Sequence, residues 1–380
     1  MKKVLMMATT AAMIEQFNKN NILILEGMGY EVHVLGNFLV GNPISIERLE
    51  SFKSWIKDHK GKWFHYPATR KPTNFRNNFV AYQYAVELIK KYQYDFIHCH
   101  TPLGSVIARI AAHQTDTKII YTAHGFHFFK GAPLRNWILY YPVEKFLSKW
   151  TDVLVLINKE DYNLAVSRFY AKKTIYIPGV GINLEINKED KKISFENISQ
   201  FQLKENDIII LSVGELNKNK NHQLVVRALK RINDDRLHYF IAGQGSRKKD
   251  ILSLAKKLGV EKHIHLLGYQ KNIRDLDAKA DIFVFPSLRE GLSVALMEAI
   301  AEKTVVVCSD IRGNSDLIKD SNYLFDPHSV SSLVHSLLVT LEVDNKEIIY
   351  ENESRLQEYD ARNVNRMMQD VYRNQGLNYN

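Results

Sequence analysis

Apolar and polar positions follow two rhythms along this chain. Short, nearly continuous apolar runs recur in the first half: "KKVLMMA", "YEVHVLG", "KWFHYPA", "YDFIHCH", "TKIIYTA", "TDVLVLI" and "KTIYIPG". Stretches of helical period lie between several of them, such as "MIEQFNKNNILILEGMG" and "FVAYQYAVELIKKY". Strands apolar on both sides, alternating with helices, predict a parallel sheet covered on both faces. The segment "PGVGINLEINKEDKKISFEN" breaks the rhythm with Gly, Pro and charge, and reads as a linker between domains. A second series follows: "DIIILSVGE", "LHYFIAGQG", "HIHLLGY", "DIFVFPS", "TVVVCSD" and "NYLFDP". The last pattern, "ARNVNRMMQDVYRNQ", is helical and amphipathic. The prediction is two doubly wound α/β domains with a cleft between them. Ligands of such sheets bind beyond the carboxyl ends of the strands, so those loops are where chemistry belongs.

Composition narrows the class. The 380 residues are 45% hydrophobic and 24% charged, as expected of a soluble globular chain of two domains. No apolar run approaches the ~20 residues of a membrane span. The opening "MKKVLMMATT" reads as a first strand rather than a signal peptide. Cys99 and Cys308 lie in separate predicted strands and read as buried free thiols in a reducing cytoplasm. The net charge of +9 is uneven: residues 1–180 carry 23 Lys and Arg against 13 Asp and Glu. One basic half points to an anionic partner for that half: nucleic acid, an anionic membrane surface or a phosphorylated substrate. Nucleic acid is the weakest of these, because no single-strand-binding module accompanies the charge.

Four loops after second-half strands carry candidate chemistry. In "SVGELNKNKNH", Gly214 permits close backbone approach, and Lys218 and Lys220 sit beside a helix start that favours phosphate. A solvated lysine pair explains this loop equally well by itself. "AGQGSRKKD", with Gly243, is only G-x-G and fits a tight strand–helix turn. "GYQKNIRDL" places Tyr269 and Asn272 at a strand end, either as a surface turn or against a nucleobase. In "REGLSVALMEAIAEK", Glu290 precedes a helix whose first residues, Gly291, Leu292 and Ser293, would present free N–H groups to a diphosphate. Glu298 then projects from a mostly apolar helical face, beside Val294, Ala295 and Ala301. An unpaired buried carboxylate is costly, so Glu298 needs water or a partner, and a ligand diol would serve.

With these residues in view, the chain resembles the retaining GT-B glycosyltransferases of family four. Glu290 and Glu298 reproduce its E-x7-E motif, "VGELNKNKNH" its G-[RE]-L-x3-K segment, and "PGVGIN" its inter-domain junction. "TAHGFHFFKGAPLRNWILYYPVEKF" and "YDFIHCHTPLGS" resemble the bacterial capsule and exopolysaccharide subgroup. The resemblance implies two Rossmann-like domains facing across a cleft. Residues 1–179 would bind the acceptor and 180–359 the nucleotide sugar, with a terminal helix at 360–380 crossing back. Glu290 would contact the transferred sugar, Glu298 the ribose diol and Lys220 the diphosphate. His124 would reach the donor from the first domain. Two positions depart from the family: Glu215 replaces a common arginine, so Lys218 or another cation would neutralise the diphosphate. The usual glycine-rich loop after the first strand is "ATTAAMIEQF", which includes Thr10. The implied reaction is transfer from a UDP-sugar with retention, metal-independent, to a polyprenyl-diphosphate-linked saccharide.

His98, His100, His124 and His127 also raise a metal reading, since "HCH" puts His98 and His100 on one strand face. Without a neighbouring carboxylate or second cysteine, packed or substrate-facing histidines fit better. The "DLD" at Asp275–Asp277 lies in a helical pattern away from a strand end and is discounted as a metal motif. Residues 127–150 combine dense aromatics with Lys and Arg and a single Glu. Part of this must be core, yet the mixture also suits contact with an anionic membrane at its cytoplasmic face. His100, Lys130 and Thr10 are the candidates near an acceptor. Two rivals remain open at this point: a UDP-sugar 2-epimerase of similar shape, and a non-catalytic nucleotide-sugar or polysaccharide binding module.

Overall fold

The computed structural model describes residues 2–42, 44–184, 201 and 203–374. The expected linker is described only as far as residue 184, and its remainder to 197 lies outside the described residues. The chain divides into two compact units, residues 1–181 with 361–380, and residues 182–360.

In the first unit every predicted strand forms: β1 (Lys2–Thr10), β2 (Tyr30–Asn37), β3 (Lys62–His65), β4 (Phe96–His100), β5 (Lys118–Ala123), β6 (Val153–Leu156) and β7 (Lys173–Tyr176). They pair in parallel in the order β3-β2-β1-β4-β5-β6-β7. Alternation sends Leu5, Met7, Ile97 and Cys99 to one face, and Val4, Met6 and Phe96 to the other. The first face is covered by the helices Phe75–Tyr92 and Pro102–Gln114, through Ala81, Ala85, Ile107 and Ala108. The second face carries Ile14, Ile22 and Phe52, together with Val364, Met368 and Tyr372 of the C-terminal helix Ala361–Arg373. Those positions recur at i, i+4 and i+8, which is why that amphipathic helix has one side to bury. The stretch from Met13 to Gly29 is not one helix. It breaks at Asn18, a buried residue whose side-chain amide donates to the Met13 carbonyl at 3.3 Å.

The second unit holds β8 (Ile208–Val213), β9 (Leu237–Ala242), β10 (Ile264–Gly268), β11 (Ile282–Phe285), β12 (Val305–Ser309) and β13 (Leu324–Phe325). They are again parallel, in the order β10-β9-β8-β11-β12-β13. In both sheets the chain winds outward and then returns to the other side of its first strand. This creates a switch point, between β1 and β4 in one unit and between β8 and β11 in the other. Loops diverge at such a point and leave a crevice beyond the strand ends.

Candidate active site

At the β8/β11 switch point two loops from opposite directions are tied together. The loop after β8 ends at Asn221, whose positive φ of 52° turns the chain into the helix His222–Ile232. The loop after β11 runs to the helix Val294–Ala301. The Leu288 N–H donates to the Asn219 carbonyl at 2.8 Å, and the Asn219 amide donates to the Arg289 carbonyl at 2.9 Å. Between them Lys220 Nζ lies 2.9 Å from Glu290 Oε1 and 4.5 Å above the ring of Phe285. Both side chains are largely but not fully covered, at 19% and 17% exposure. The glycines allow this packing. A Cβ at Gly214 would come within 3.0 Å of Lys220 Cε, and one at Gly243 within 1.9 Å of the Gly214 carbonyl oxygen. Gly214 and Gly243 are thus where two strand ends press together.

Ser293 is the N-cap of the helix Val294–Ala301, its hydroxyl accepting from the Leu296 N–H at 3.3 Å. The backbone N–H groups of Gly291, Leu292 and Ser293 have no protein acceptor among the described residues. They are positive partial charges at a helix N-terminus, next to the Lys220 ammonium. Lys218 is exposed, as are Glu215, Tyr269 and Asn272. One turn into the helix, Glu298 is half-buried, and its carboxylate meets no protein donor among the described residues. Burial raises its pKa, Arg274 opposes the shift, and Glu302 adds to it. Beneath it Asp277 is fully buried, and its pKa is pushed up to about 8 by burial and by Glu298 and Glu302. Of the "DLD" carboxylates it is Asp277 that enters the interior, where burial favours its protonated form.

Two residues of this region carry no sequence signal of their own. Arg312, after β12, donates through Nε to the Glu290 carbonyl at 3.1 Å and fixes the backbone just before the free amides. Asn219 holds the neighbouring loop. A polar residue after a parallel strand is the only hint that either one gives.

The first unit has its own cluster. His124 follows β5 and lines an open depression at the strand ends with Asn18, Asn21, Thr122, Ile157 and Asn365. His124 Nε2 lies 3.2 Å from His100 Nδ1, and His100 Nε2 lies 3.2 Å from Met6 Sδ. His98 bonds the Tyr372 hydroxyl at 2.9 Å and Thr122 Oγ1 at 2.8 Å, so both its ring nitrogens are occupied. Burial depresses all three pKa values, to about 3 for His98, to about 4 for His124, and well below the ordinary value for His100. Of the residues expected near an acceptor, Thr10 and His100 are buried and offer no surface in this structure, whereas Lys130 is exposed. His127 packs against Tyr140 in a tilted arrangement, with ring centroids 4.8 Å apart.

Two parallel, doubly wound units in tandem are the GT-B architecture of sugar-transferring enzymes. The chain belongs to glycosyltransferase family 4: residues 23–185 match the model "Glycosyltransferase Family 4", and residues 194–359 match "Glycosyl transferases group 1". EpsD of Bacillus subtilis (strain 168) is 36% identical over 326 residues, covering 84% of this chain and 81% of its own. The UDP-Gal:alpha-D-GlcNAc-diphosphoundecaprenol alpha-1,3-galactosyltransferase of Escherichia coli is 30% identical over 267 residues, 66% of this chain and 67% of its own. Anabaena Alr3699/HepE, crystallised with UDP, shares the fold with a TM-score of 0.73 at 16% identity, over 98% of this chain and 100% of that one. This membership decides for a glycosyltransferase over an epimerase or a binding module.

Proposed function

We propose that this glycosyltransferase moves a sugar, an N-acetylated or deoxy hexosamine, from a UDP-sugar to a polyprenyl-diphosphate-linked saccharide, with retention at the anomeric carbon. The product would enter capsule or exopolysaccharide assembly. The observation that carries the reading is the convergence of Lys220, Glu290 and three unpartnered amides at the β8/β11 switch point. Anionic oxygens suit the ammonium and the amides, and sugar hydroxyls suit Glu290. Glu298, without a protein donor, is free to accept from the ribose diol. The acceptor class is supported by the names of two relatives. One is the E. coli galactosyltransferase; the other is an N-acetylgalactosaminyltransferase of Campylobacter jejuni acting on a diphospho-undecaprenol saccharide, 32% identical over 232 residues.

In this reading the bond between the anomeric carbon and the β-phosphate oxygen breaks heterolytically, and its electron pair goes to the phosphate. Lys220 and the amides of Gly291, Leu292 and Ser293 stabilise that charge where it develops. The acceptor hydroxyl attacks from the same face, and its proton passes to the departing phosphate oxygen. His124, in the first unit, contacts a hydroxyl of a substrate sugar. Metal-independence is part of the proposal: activity is expected to survive EDTA, and its complete loss there would overturn that part. The main test is a screen of UDP-sugars with a short-chain prenyl-diphosphate saccharide, with NMR of the product's anomeric configuration. Retention supports the mechanism, and clean inversion rules it out. Failure of every UDP-sugar as donor would sink the substrate assignment.

The enzyme would work at the cytoplasmic face of the membrane. The helices Phe75–Tyr92, Pro102–Gln114 and Tyr141–Leu147 lie side by side on one face of the first sheet. They and the adjoining helix Leu134–Leu139 leave Phe75, Phe79, Leu134, Ile138, Leu139 and Phe146 exposed. The cations Arg76 and Arg135 in these helices, and Arg70, Lys71, Lys130 and Lys149 just outside them along the chain, are exposed. Exposed apolar side chains and exposed cations in neighbouring segments of the chain suit an anionic bilayer.

A further inference from the structure

The His100–His124 contact fixes where protons sit. A thioether sulfur accepts hydrogen bonds and donates none, so the contact with Met6 Sδ at 3.2 Å puts a proton on His100 Nε2. His100 has no exposed surface, and burial keeps its ring neutral, so its Nδ1 is bare. A bare Nδ1 must accept, which places the proton of His124 on Nε2, 3.2 Å away. A neutral His124 then has a bare Nδ1 as well. That nitrogen has no protein partner among the described residues, and it is not a buried atom left unpaired. His124 is half-buried and lines the depression at the ends of β5 and β6.

We infer that His100, backed by Met6, is a positioning residue that locks His124 in the Nε2–H tautomer, so that Nδ1 offers a hydrogen-bond acceptor to a hydroxyl or amide N–H of a substrate sugar. The inference rests on reading His124 as a sugar-contacting residue, and it adds polarity to that reading. A lone pair repels phosphate oxygens, so the hydroxyl-bearing part of the ligand lies against His124. It also explains a buried histidine beside a thioether, where an aliphatic side chain would pack at no polar cost. Sequence inspection pairs His100 with His98 on one strand. The fold keeps the two rings together, 4.2 Å apart, and adds His124, the residue that follows the next strand.

The primary test is 15N NMR of the full chain labelled in histidine, with peaks assigned through His100→Asn and His124→Gln. At pH 7 His124 is expected to show an unprotonated Nδ1 and a protonated Nε2. The opposite tautomer, or a mixture of the two, overturns the inference without reference to activity. Kinetics supply the second arm. His100→Leu removes the acceptor and is expected to lower kcat roughly tenfold with little change in KM. In His100→Asn the side-chain oxygen stands where Nδ1 was, and kcat is expected to stay within about threefold of wild type. Equal loss in both variants overturns the positioning role. Should His100→Leu fail to fold, as judged by its melting curve, the wild-type spectrum still decides. Full activity in His124→Gln would remove the sugar-contact reading, an outcome separate from the tautomer assignment.

Discussion

At the scale of single residues the second unit combines an available pair with a concealed acid. Lys220 and Glu290 pair across 2.9 Å, so in the proposed reaction an incoming diphosphate would compete with Glu290 for the ammonium and free Glu290 for the sugar. Lys220→Met and Glu290→Gln are each expected to lower kcat/KM by tenfold or more, at least ~1.4 kcal/mol of transition-state stabilisation. Wild-type kinetics in either would remove that residue from the mechanism. Asp277 makes a separate prediction. Its folded pKa, about 8, exceeds the ordinary value of 3.8, so between those limits the folded chain holds a proton that the unfolded chain has released. Its contribution is therefore fully present at acid pH and is lost as pH rises toward 8. Asp277→Asn preserves the neutral shape and removes the linkage. The variant's melting temperature should fall less than that of wild type between pH 5 and pH 8. Parallel curves for the two proteins would mean that Asp277 is already ionised in the fold.

At the scale of elements, the chain segments where one unit passes into the other constrain the sequence by close packing. The Ile182 N–H donates to the Tyr359 carbonyl at 2.9 Å, and Gly181, with φ +75°, packs against Ala361. A Cβ at Gly181 would stand 2.6 Å from Ala361 Cα, a backbone atom that no rotamer change can move. Gly181→Ala is expected to cost about 1–3 kcal/mol, from overpacking with the left-handed backbone added. Urea unfolding measures it, and an unchanged midpoint would refute the packing argument. Tyr372→Phe tests the C-terminal helix more gently, because it removes the bond to buried His98 and leaves the ring in place. That loss should cost about 1 kcal/mol. Every strand among the described residues was legible in the sequence, most plainly the inner ones, which are buried on both faces and read as continuous apolar runs. The break at Asn18 was not legible: Met13 to Gly29 keeps a helical pattern, and the interruption depends on a buried side-chain amide. Candidate loops could be found by their position after strands, and the carboxylates by their odd setting or by resemblance. The grip of Arg312 on the Glu290 carbonyl and the Met6–His100–His124 chain could not be found that way. Each of those contacts joins segments far apart in sequence, and only folding defines them.

At the scale of the whole molecule, the excess positive charge belongs to the first 180 residues, which also carry the exposed apolar side chains of the helices Phe75–Tyr92, Leu134–Leu139 and Tyr141–Leu147. No helix among the described residues is long and apolar enough to cross a membrane. Charge alone would give binding that salt abolishes, since a ~8 Å Debye length at physiological ionic strength screens exposed lysines. Apolar contact alone would give binding indifferent to lipid charge. The structure offers both in adjacent segments, which predicts a two-part response. Vesicles containing phosphatidylglycerol should co-sediment the protein, and neutral vesicles should hold much less of it. Added salt should weaken the binding without eliminating it. Replacing Leu134 and Ile138 with serine should remove the salt-resistant part, while Arg135→Glu with Lys149→Glu should remove the lipid-charge preference. Neither pair belongs to the residues proposed to bind donor or acceptor, so turnover of a water-soluble acceptor should persist while turnover of a vesicle-embedded one falls. Equal partitioning of the wild type onto neutral and anionic vesicles would eliminate the electrostatic half of the proposal. Wild-type sedimentation of the serine variant would eliminate the apolar half.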